Sequence, residues 1–360
     1  MKELSSSRSR LHRELSRQSI GPSGNGARIS QGRTRILRCL IALLVLIVLP
    51  SLPRSQGSSQ LQRPQGEEYT INVHVEEVVL HATALDHKGV LVSGLDKSTF
   101  QVYEDGVLQQ IRYFSHEDIP VTVGLVVDNS GSMRPKRTDV IAAAVAFARS
   151  SNPQDQMFVV SFNEKVFFGL PGNVPFTDKV PQLETALSRT KADGETALYD
   201  AVAAALEHLK KGNRDKKVLL VISDGGDNAS KHKLNQIRAM AGQPDAIIYT
   251  IGVFDEEDSD QNPNVLKQLA KDTGGEAFLP KSLADVIPIC QQIAHDIRNQ
   301  YTIAYIPTNK NPDGTYRAIQ VKANAPGHGR LSVRTRAGYF APSHTQPSPT
   351  AKAIDHDIQH

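Results

Sequence analysis

The sequence contains no tryptophan, four methionines and only two cysteines among its 360 residues. One cysteine, Cys39, belongs to an apolar segment near the N-terminus, and the other is Cys290. This usage excludes a disulfide framework in the mature protein, so the folded part depends on its hydrophobic core. Apolar residues make up 39% of the chain, which is enough to build such a core. We expect Cys290 to be a small buried hydrophobic side chain on a helix.

The sequence also lacks a run of about 20 apolar residues, the length that a comfortable membrane span needs. The apolar segment at residues 39–49 is shorter, and it follows a basic leader, because residues 1–54 carry ten Lys or Arg against two Glu. This combination predicts a cleaved signal peptide. The long basic region and the lack of a small-residue cleavage site leave an uncleaved signal anchor as the alternative. Both alternatives place the bulk of the chain outside the cytoplasm: periplasmic, extracellular or anchored by its N-terminal segment.

After the leader, the sequence has no block of basic residues. The later chain carries 31 Lys or Arg and 36 Asp or Glu, so the overall charge of +3 comes from the leader alone. This distribution excludes nucleic acid as the expected partner. It leaves membrane contact only to an uncleaved leader, and it does not determine the oligomeric state.

Composition and periodicity divide the chain into six segments. Polar residues without periodicity follow the leader, alternating apolar and polar residues come next, and buried-strand and helix patterns then alternate before β character returns. The segments are the leader with signal peptide or signal anchor (1–54), a linker (55–68), an N-terminal β segment (69–117), an α/β domain (118–300), a C-terminal β segment (301–341) and a disordered tail (342–360).

The α/β domain shows the pattern of a doubly wound, mostly parallel sheet. Continuous apolar runs such as "VTVGLVVD" and "KKVLLVISD" are typical of strands covered on both faces, and helical patterns separate them. Gly212 and Gly274 are expected to end two of the helices. We predict that the N- and C-terminal β segments pair into a small antiparallel unit flanking this domain, with hairpin turns at Asp105-Gly106 and Asp313-Gly314.

Oxygen-bearing side chains lie at the ends of two predicted strands and in a polar loop just before a helix. Ligands of parallel α/β sheets bind outside the carboxyl ends of the strands, so we expect these side chains to converge at one edge. Carboxylate and hydroxyl oxygens suit a hard cation, with Mg²⁺ the first candidate. Two carboxylates and three neutral hydroxyls would leave such an ion partly unneutralised and attractive to a partner's acidic residue. The predicted metal ligands are Asp128, Ser130, Ser132, Thr196 and Asp224.

These three loops resemble the metal-ion-dependent adhesion site of von Willebrand factor type A domains. The resemblance covers about residues 118–300 and implies a Rossmann-like fold with Mg²⁺ or Mn²⁺ bridging to an acidic residue of a protein ligand; Ca²⁺ is a further alternative. The flanking segments are similar to exported von Willebrand factor A-related proteins of Acidobacteria.

The sequence therefore favours an exported, metal-dependent protein-binding module for adhesion or scaffolding, without enzymatic activity. An exported hydrolase using the same metal or a serine nucleophile is one alternative. It is disfavoured because Ser130 lies in "DNSGS" rather than in G-x-S-x-G, and because no histidine is expected in the loops at the strand ends. A structural domain that binds no metal is the other alternative. Asn129 and Asp227 are expected to serve the loops, and Asp200 is expected to be solvated or to support the ligands.

Overall fold

A computed structural model describes residues 77–242, 246–255 and 260–343 of the chain. The predicted leader (1–54), the linker (55–68) and nearly all of the predicted tail (342–360) lie outside these residues. In the described part, no helix is long and apolar enough to cross a membrane.

Fourteen strands and six α-helices are present within the described residues. The strands are β1 (Val78–Leu85), β2 (Phe100–Glu104), β3 (Val107–Gln109), β4 (Ile111–Ser115), β5 (Val121–Asp128), β6 (Gln156–Phe162), β7 (Val166–Phe168), β8 (Lys216–Ser223), β9 (Ala246–Gly252), β10 (Ala277–Phe278), β11 (Tyr301–Tyr305), β12 (Tyr316–Ala325), β13 (Gly329–Arg334) and β14 (Gly338–Phe340). The helices are α1 (Arg137–Ser150), α2 (Val180–Ser188), α3 (Leu198–Leu209), α4 (Leu234–Ala241), α5 (Pro263–Thr273) and α6 (Val286–Arg298).

One sheet is mixed and mostly parallel, with the strand order β10-β9-β8-β5-β6-β7. Its strands pair in parallel except for the short β7, which lies antiparallel to β6. All eight residues of the central strand β5 are buried, because helices separate the parallel strands in sequence and cover the sheet. Close packing around β5 explains the glycine at position 124. An added Cβ there would lie 2.5 Å from both Leu219 Cδ2 and Phe158 Cζ.

The second sheet is antiparallel and combines strands from both sides of the α/β region in sequence. Its order is β3-β2-β12-β13-β1-β11-β4, with β14 paired to β12. The predicted hairpin at Asp105-Gly106 is present, since β2 and β3 pair across it. Both turn residues have positive φ, 47° for Asp105 and 81° for Gly106, as a tight two-residue hairpin requires. The pairs β2·β12 and β1·β11 each join strands about 200 residues apart.

Two local predictions are wrong, one for a hairpin turn and one for the end of a helix. Asp313-Gly314 does not connect a hairpin, because β11 lies between β1 and β4 while β12 pairs with other strands. Instead the Asp313 carboxylate accepts the Thr315 amide and binds Arg317. Helix α3 ends at Leu209, three residues before Gly212. An added Cβ at Gly212 would lie 2.5 Å from the Thr122 side chain, so this glycine permits close packing.

The other predicted landmarks agree with the structure. Gly274 caps α5 in the left-handed conformation, with φ 80°. Cys290 is a buried free thiol on α6, and burial raises its pKa to about 12. Gln300, just after α6, donates from Nε2 to Tyr249 of the mixed sheet at 3.1 Å and to Thr83 of the antiparallel sheet at 3.2 Å. The two sheets are thus joined by a buried polar contact.

Candidate metal site

The first loop of the candidate site begins at the last residue of β5. The Asp128 side chain is buried, and its Oδ1 accepts the Ser130 amide at 2.8 Å. This turn leads into a short 3₁₀ helix at Gly131–Lys136, which places Ser130 and Ser132 beside one another with 3.1 Å between their Oγ atoms. Ser130 is buried and Ser132 is partly exposed.

The third loop meets the first directly. Strands β5 and β8 are parallel neighbours, so their carboxyl ends lie at the same edge of the sheet. Ser132 Oγ donates a hydrogen bond to Asp224 Oδ2 at 2.6 Å, across 92 residues of sequence. Asp224 is buried, and its other carboxylate oxygen accepts the Gly226 amide at 3.0 Å. Oxygens of the first and third loops are therefore in contact.

Thr196 is held beside the other loops through its backbone. Its amide donates to Asn228 Oδ1 at 2.8 Å, and its carbonyl accepts the amides of Asn228 and Ala229, both at 3.0 Å. The Gly131 amide donates to Gly194 O at 3.0 Å, which ties this loop to the first. Thr196 is buried, but among the described residues its hydroxyl forms no hydrogen bond with the other four predicted ligands.

Ser223 is a residue of the candidate site that the sequence reasoning missed. Its hydroxyl donates to Asp128 Oδ2 at 2.7 Å and accepts the Gly225 amide at 3.0 Å. Both oxygens of Asp128 are therefore hydrogen-bonded, and Ser223 fixes the carboxylate relative to β8. The available signal was the position of Ser223 at the end of the strand, immediately before Asp224.

The neighbouring polar residues support the loops. Asn129 Oδ1 accepts from Arg137 Nε at 3.3 Å, and Asp227 Oδ1 accepts the Tyr199 amide at 3.1 Å. Asp200 Oδ1 accepts the His232 amide at 2.9 Å and lies 2.7 Å from its Nδ1. His232 belongs to the connection that follows β8, so the expectation of no histidine in the strand-end loops is wrong.

The electrostatics of the site are those of two buried acids without a basic partner. Among the described residues, the ion pairs do not include Asp128 or Asp224. Burial, and then the negative charge of Asp224, raise the pKa of Asp128 to about 7. Hydrogen bonds from Ser223 and Ser130 act in the opposite direction. The negative charge of Asp128 is therefore costly unless a cation lies nearby.

The donor set is compatible with a hard divalent cation. It consists of carboxylate and hydroxyl oxygens, and these are the ligands that Mg²⁺, Mn²⁺ and Ca²⁺ accept. In the part of the chain that the structure describes, no group of three or more His, Cys, Asp or Glu is placed to hold a metal. A site here would depend on serine and threonine oxygens beside the two aspartates.

Comparison with known proteins identifies the fold around this site. Residues 123–226 match the family model for the von Willebrand factor type A domain. Bovine inter-alpha-trypsin inhibitor heavy chain H4 is 26% identical over 127 residues, covering 32% of this chain and 14% of that protein. An uncharacterized protein of Synechocystis sp. is 22% identical over 187 residues, covering 50% and 42% respectively. The chain thus spans less than half the length of either relative.

Solved structures give similar matches at low identity. A von Willebrand factor type A protein from Catenulispora acidiphila has a TM-score of 0.46 at 13% identity, covering 75% of this chain and 74% of that chain. The corresponding domain of the type V pili tip protein Mfa5 from Porphyromonas gingivalis has a TM-score of 0.43 at 14% identity, with 50% and 95% coverage. Proximal thread matrix protein 1 from the mussel byssus, with a zinc-occupied adhesion motif, has a TM-score of 0.42 at 15% identity, with 51% and 49% coverage.

The proposed similarity of the flanking segments to proteins of Acidobacteria stays a prediction. The match at residues 123–226 includes the strands β5 and β8 and the loops that carry the five candidate ligands. Residues 123–226 therefore match the von Willebrand factor type A domain, the family that the three loop motifs predict.

Proposed function

We propose that the protein is an exported module that binds another protein through a divalent cation. The cation is held by the five oxygen-bearing side chains of the three loops: Asp128, Ser130, Ser132, Thr196 and Asp224. Mg²⁺ is the first candidate, with Mn²⁺ and Ca²⁺ as alternatives. The partner contributes an acidic residue. Export rests on the basic and apolar leader at residues 1–54.

The contact between Ser132 and Asp224 is the observation that carries the proposal. The two residues belong to different loops, and nothing in the packing of the sheet alone requires a hydroxyl to lie 2.6 Å from a buried carboxylate. Buried carboxylates are expensive unless they are paired or coordinate a metal. A hydroxyl that donates to Asp224 in this structure retains lone pairs with which it could coordinate a cation.

The charge balance explains why the partner should be acidic. Two carboxylates neutralise at most two positive charges, and the remaining donors are neutral hydroxyls. Burial and the charge of Asp224 raise the pKa of Asp128 in the absence of a cation, and a bound cation would hold this carboxylate in its charged form. A bound Mg²⁺ would keep some positions for water or for an outside oxygen, such as a partner's carboxylate.

A binding role agrees with the family, since von Willebrand factor type A domains are generally adhesion or interaction modules. The side chains in contact at the site do not resemble a serine hydrolase, because Ser132 donates to an acid and Ser130 lies beside another serine. The nearest histidine contact, His232 with Asp200, involves neither serine. We therefore propose a binding module rather than an enzyme.

Calorimetric titration with Mg²⁺, Mn²⁺ and Ca²⁺ tests the site. We expect Ser132→Ala and Asp224→Ala to weaken binding by about tenfold or more, the scale of one lost charge-assisted contact. Ser188→Ala is the matched control, because the Ser188 hydroxyl only donates to Glu184 O within α2. Metal affinity that is equal in all four proteins would contradict the proposal, as would a loss equally large in the control.

Capture from the native envelope tests the bridging role. The wild-type protein should retain a partner in Mg²⁺ and release it in EDTA, while Asp224→Ala should capture nothing in either buffer. Retention of the same partner by Asp224→Ala would exclude a bridging cation. Turnover on a panel of hydrolase substrates that disappears in Ser130→Ala would support the hydrolase alternative instead.

A further inference from the structure

The antiparallel sheet contains a fork that opens a cleft. Strand β13 begins beside β12, through pairs such as Ala323 with Leu331. It then changes partner and continues beside β1, through pairs such as Leu85 with Ser332. The stretch of β12 before Ala323 is no longer paired with β13, and a cleft of about 460 Å³ opens between them. We call this feature the fork cleft; its volume is in the range of small-molecule sites.

Basic residues dominate the charged lining of the fork cleft. Lys322 comes from β12, Arg330 from β13, and Arg336 from the segment that leads to β14. The whole C-terminal β segment is basic, because residues 301–341 contain six Lys or Arg and a single acid, Asp313. Lys322 Nζ lies 4.4 Å from the centroid of the Tyr103 ring, so its side chain is oriented by an aromatic contact.

The lining also includes one acid, Asp86, whose carboxylate is held by backbone hydrogen bonds. Asp86 Oδ1 accepts the amides of Lys88 at 2.8 Å and Val90 at 2.9 Å. These backbone hydrogen bonds, led by the one from Val90, lower the pKa of Asp86. Asp86 therefore serves the turn after β1, and Lys322, Arg330 and Arg336 outnumber it in the lining of the cleft.

A buried hydroxyl in the lining lacks a partner. Thr335 Oγ1 is inaccessible to solvent and has no hydrogen-bond partner among the described residues, although Thr335 lines the cleft. A buried polar atom without a partner is costly, and such atoms are uncommon in folded proteins. An acceptor in the cleft would satisfy it after a shift of the lining that exposes Oγ1.

We propose that the fork cleft binds a small ligand that carries two or more carboxylate or phosphate groups. Lysine and arginine supply charge-assisted hydrogen bonds to such groups, with arginine able to bind them in bidentate fashion. Thr335 supplies a neutral donor. The cleft shares no residue with the candidate metal site, so its ligand is bound without a cation bridge.

Titration of citrate and of pyrophosphate into the protein, first treated with EDTA and then dialysed free of it, tests the proposal. Citrate represents carboxylates and pyrophosphate represents phosphates, so the stronger of the two identifies the preferred chemistry. EDTA removes any divalent cation, and Asp224→Ala should bind either probe as well as the wild type does. This arrangement tests the fork cleft independently of the metal site, because a negative result for one proposal leaves the other proposal unaffected.

The double variant Lys322→Gln/Arg330→Gln should reduce affinity for the better probe by about tenfold or more, since it removes two charge-assisted contacts to the ligand. Lys97→Gln/Arg112→Gln is the control with the same charge change, and both of its positions are exposed outside the cleft. It should change affinity by less than about twofold. An equal loss in the two double variants, or no binding of either probe by the wild type, would overturn the proposal.

Thr335→Val gives a second test, which leaves the charge of the cleft unchanged. Removing a hydroxyl that lacks a partner should leave the midpoint of thermal unfolding unchanged or raise it. Affinity for the probe should nevertheless fall by about threefold to tenfold, because the ligand loses one neutral hydrogen bond. Unchanged affinity in Thr335→Val would contradict the assigned role of this hydroxyl.

Discussion

The two sheets of the protein bury their side chains in different ways. In β5 of the mixed sheet, eight successive residues are buried, whereas β12 of the antiparallel sheet alternates between exposed and buried over its ten residues. A strand buried at every position must be covered on both faces, and a strand with alternation has one face in contact with water. Strand β5 of the mixed sheet is therefore enclosed on both faces, and its side chains can meet a ligand only at the strand end.

The positions of charge follow from this difference. The oxygens of Asp128 and Asp224 lie where β5 and β8 end, because the faces of these strands are occupied by the core. The antiparallel sheet has a free face along its strands, and Lys322 and Arg330 lie in its exposed register. One sheet thus presents acids at an edge, and the other presents bases along a face.

The largest expected effect distinguishes the two burial patterns. Leu219→Ala and Leu220→Ala, at adjacent fully buried positions of β8, should each cost about 2–5 kcal/mol of unfolding free energy. In β12, Val321→Ala should cost about 1–2 kcal/mol and its exposed neighbour Gln320→Ala less than about 0.5 kcal/mol. Urea unfolding of the four variants checks this. A small effect at either leucine would show that one face of the mixed sheet is not packed.

The next effect concerns the acid in the mixed sheet. Asp128 has a pKa raised from 3.8 to about 7, so its folded form favours the proton. In EDTA, the wild type should lose stability as pH rises from about 4 to about 7, while Asp128→Asn does not titrate. The stability of the variant relative to the wild type should rise by about 3 kcal/mol over this interval. A relative stability that is flat with pH would contradict the buried, unpaired state of this acid.

The antiparallel sheet should respond to pH with the opposite sign. Burial, and then the charges of Lys216 and Arg336, lower the pKa of His81 in β1 from 6.5 to about 3. The unfolded chain takes up this proton as pH falls below about 6.5, whereas the folded protein resists it, so stability is lost toward pH 3. His81→Gln should therefore gain about 2–3 kcal/mol relative to the wild type between pH 7 and pH 4.5. Denaturant midpoints of the wild type and the variant at pH 7 and at pH 4.5 measure the change. A variant that is stabilised more at pH 7 than at pH 4.5 would refute the prediction.

The smallest effect tests the turn that begins the antiparallel sheet. Gly106 has φ 81°, where any side chain adds strain, so Gly106→Ala should cost about 1 kcal/mol. Gly172→Ala is the control, because its φ is not in the left-handed region and an added Cβ would meet no atom within 4 Å. Thermal unfolding of the two variants should show a lower midpoint only for Gly106→Ala. Equal midpoints would mean that the hairpin tolerates a side chain at this position.

The sequence predicts the mixed sheet better than the antiparallel one, for a physical reason. A buried parallel strand reads as a continuous apolar run, and the rule that ligands bind at the carboxyl ends of parallel strands then places Asp128 and Asp224 at one edge. Metal binding by the five residues stays a prediction. The role of Ser223 was not predicted, because it depends on which strand lies beside β5 rather than on any local pattern.

Antiparallel pairing is harder to derive because its partners are distant in sequence. Alternation indicates that residues 316–325 form a strand, but it does not specify that β2 and β13 are its neighbours. The Asp313-Gly314 dipeptide has ordinary turn chemistry, and its local signal is the same whether the flanking strands pair with each other or elsewhere. Gly212 is similar, because its requirement comes from contact with Thr122 rather than from the end of a helix.

The most direct test of the account is anomalous diffraction from crystals of the protein soaked in Mn²⁺. The account predicts one strong peak at about 2.0–2.2 Å from the hydroxyl oxygens of Ser130 and Ser132, close to Asp224. Crystals of Ser132→Ala should lose this peak. A peak confined to Asp200 and His232, or no peak at millimolar Mn²⁺, would contradict a cation held by the three loops.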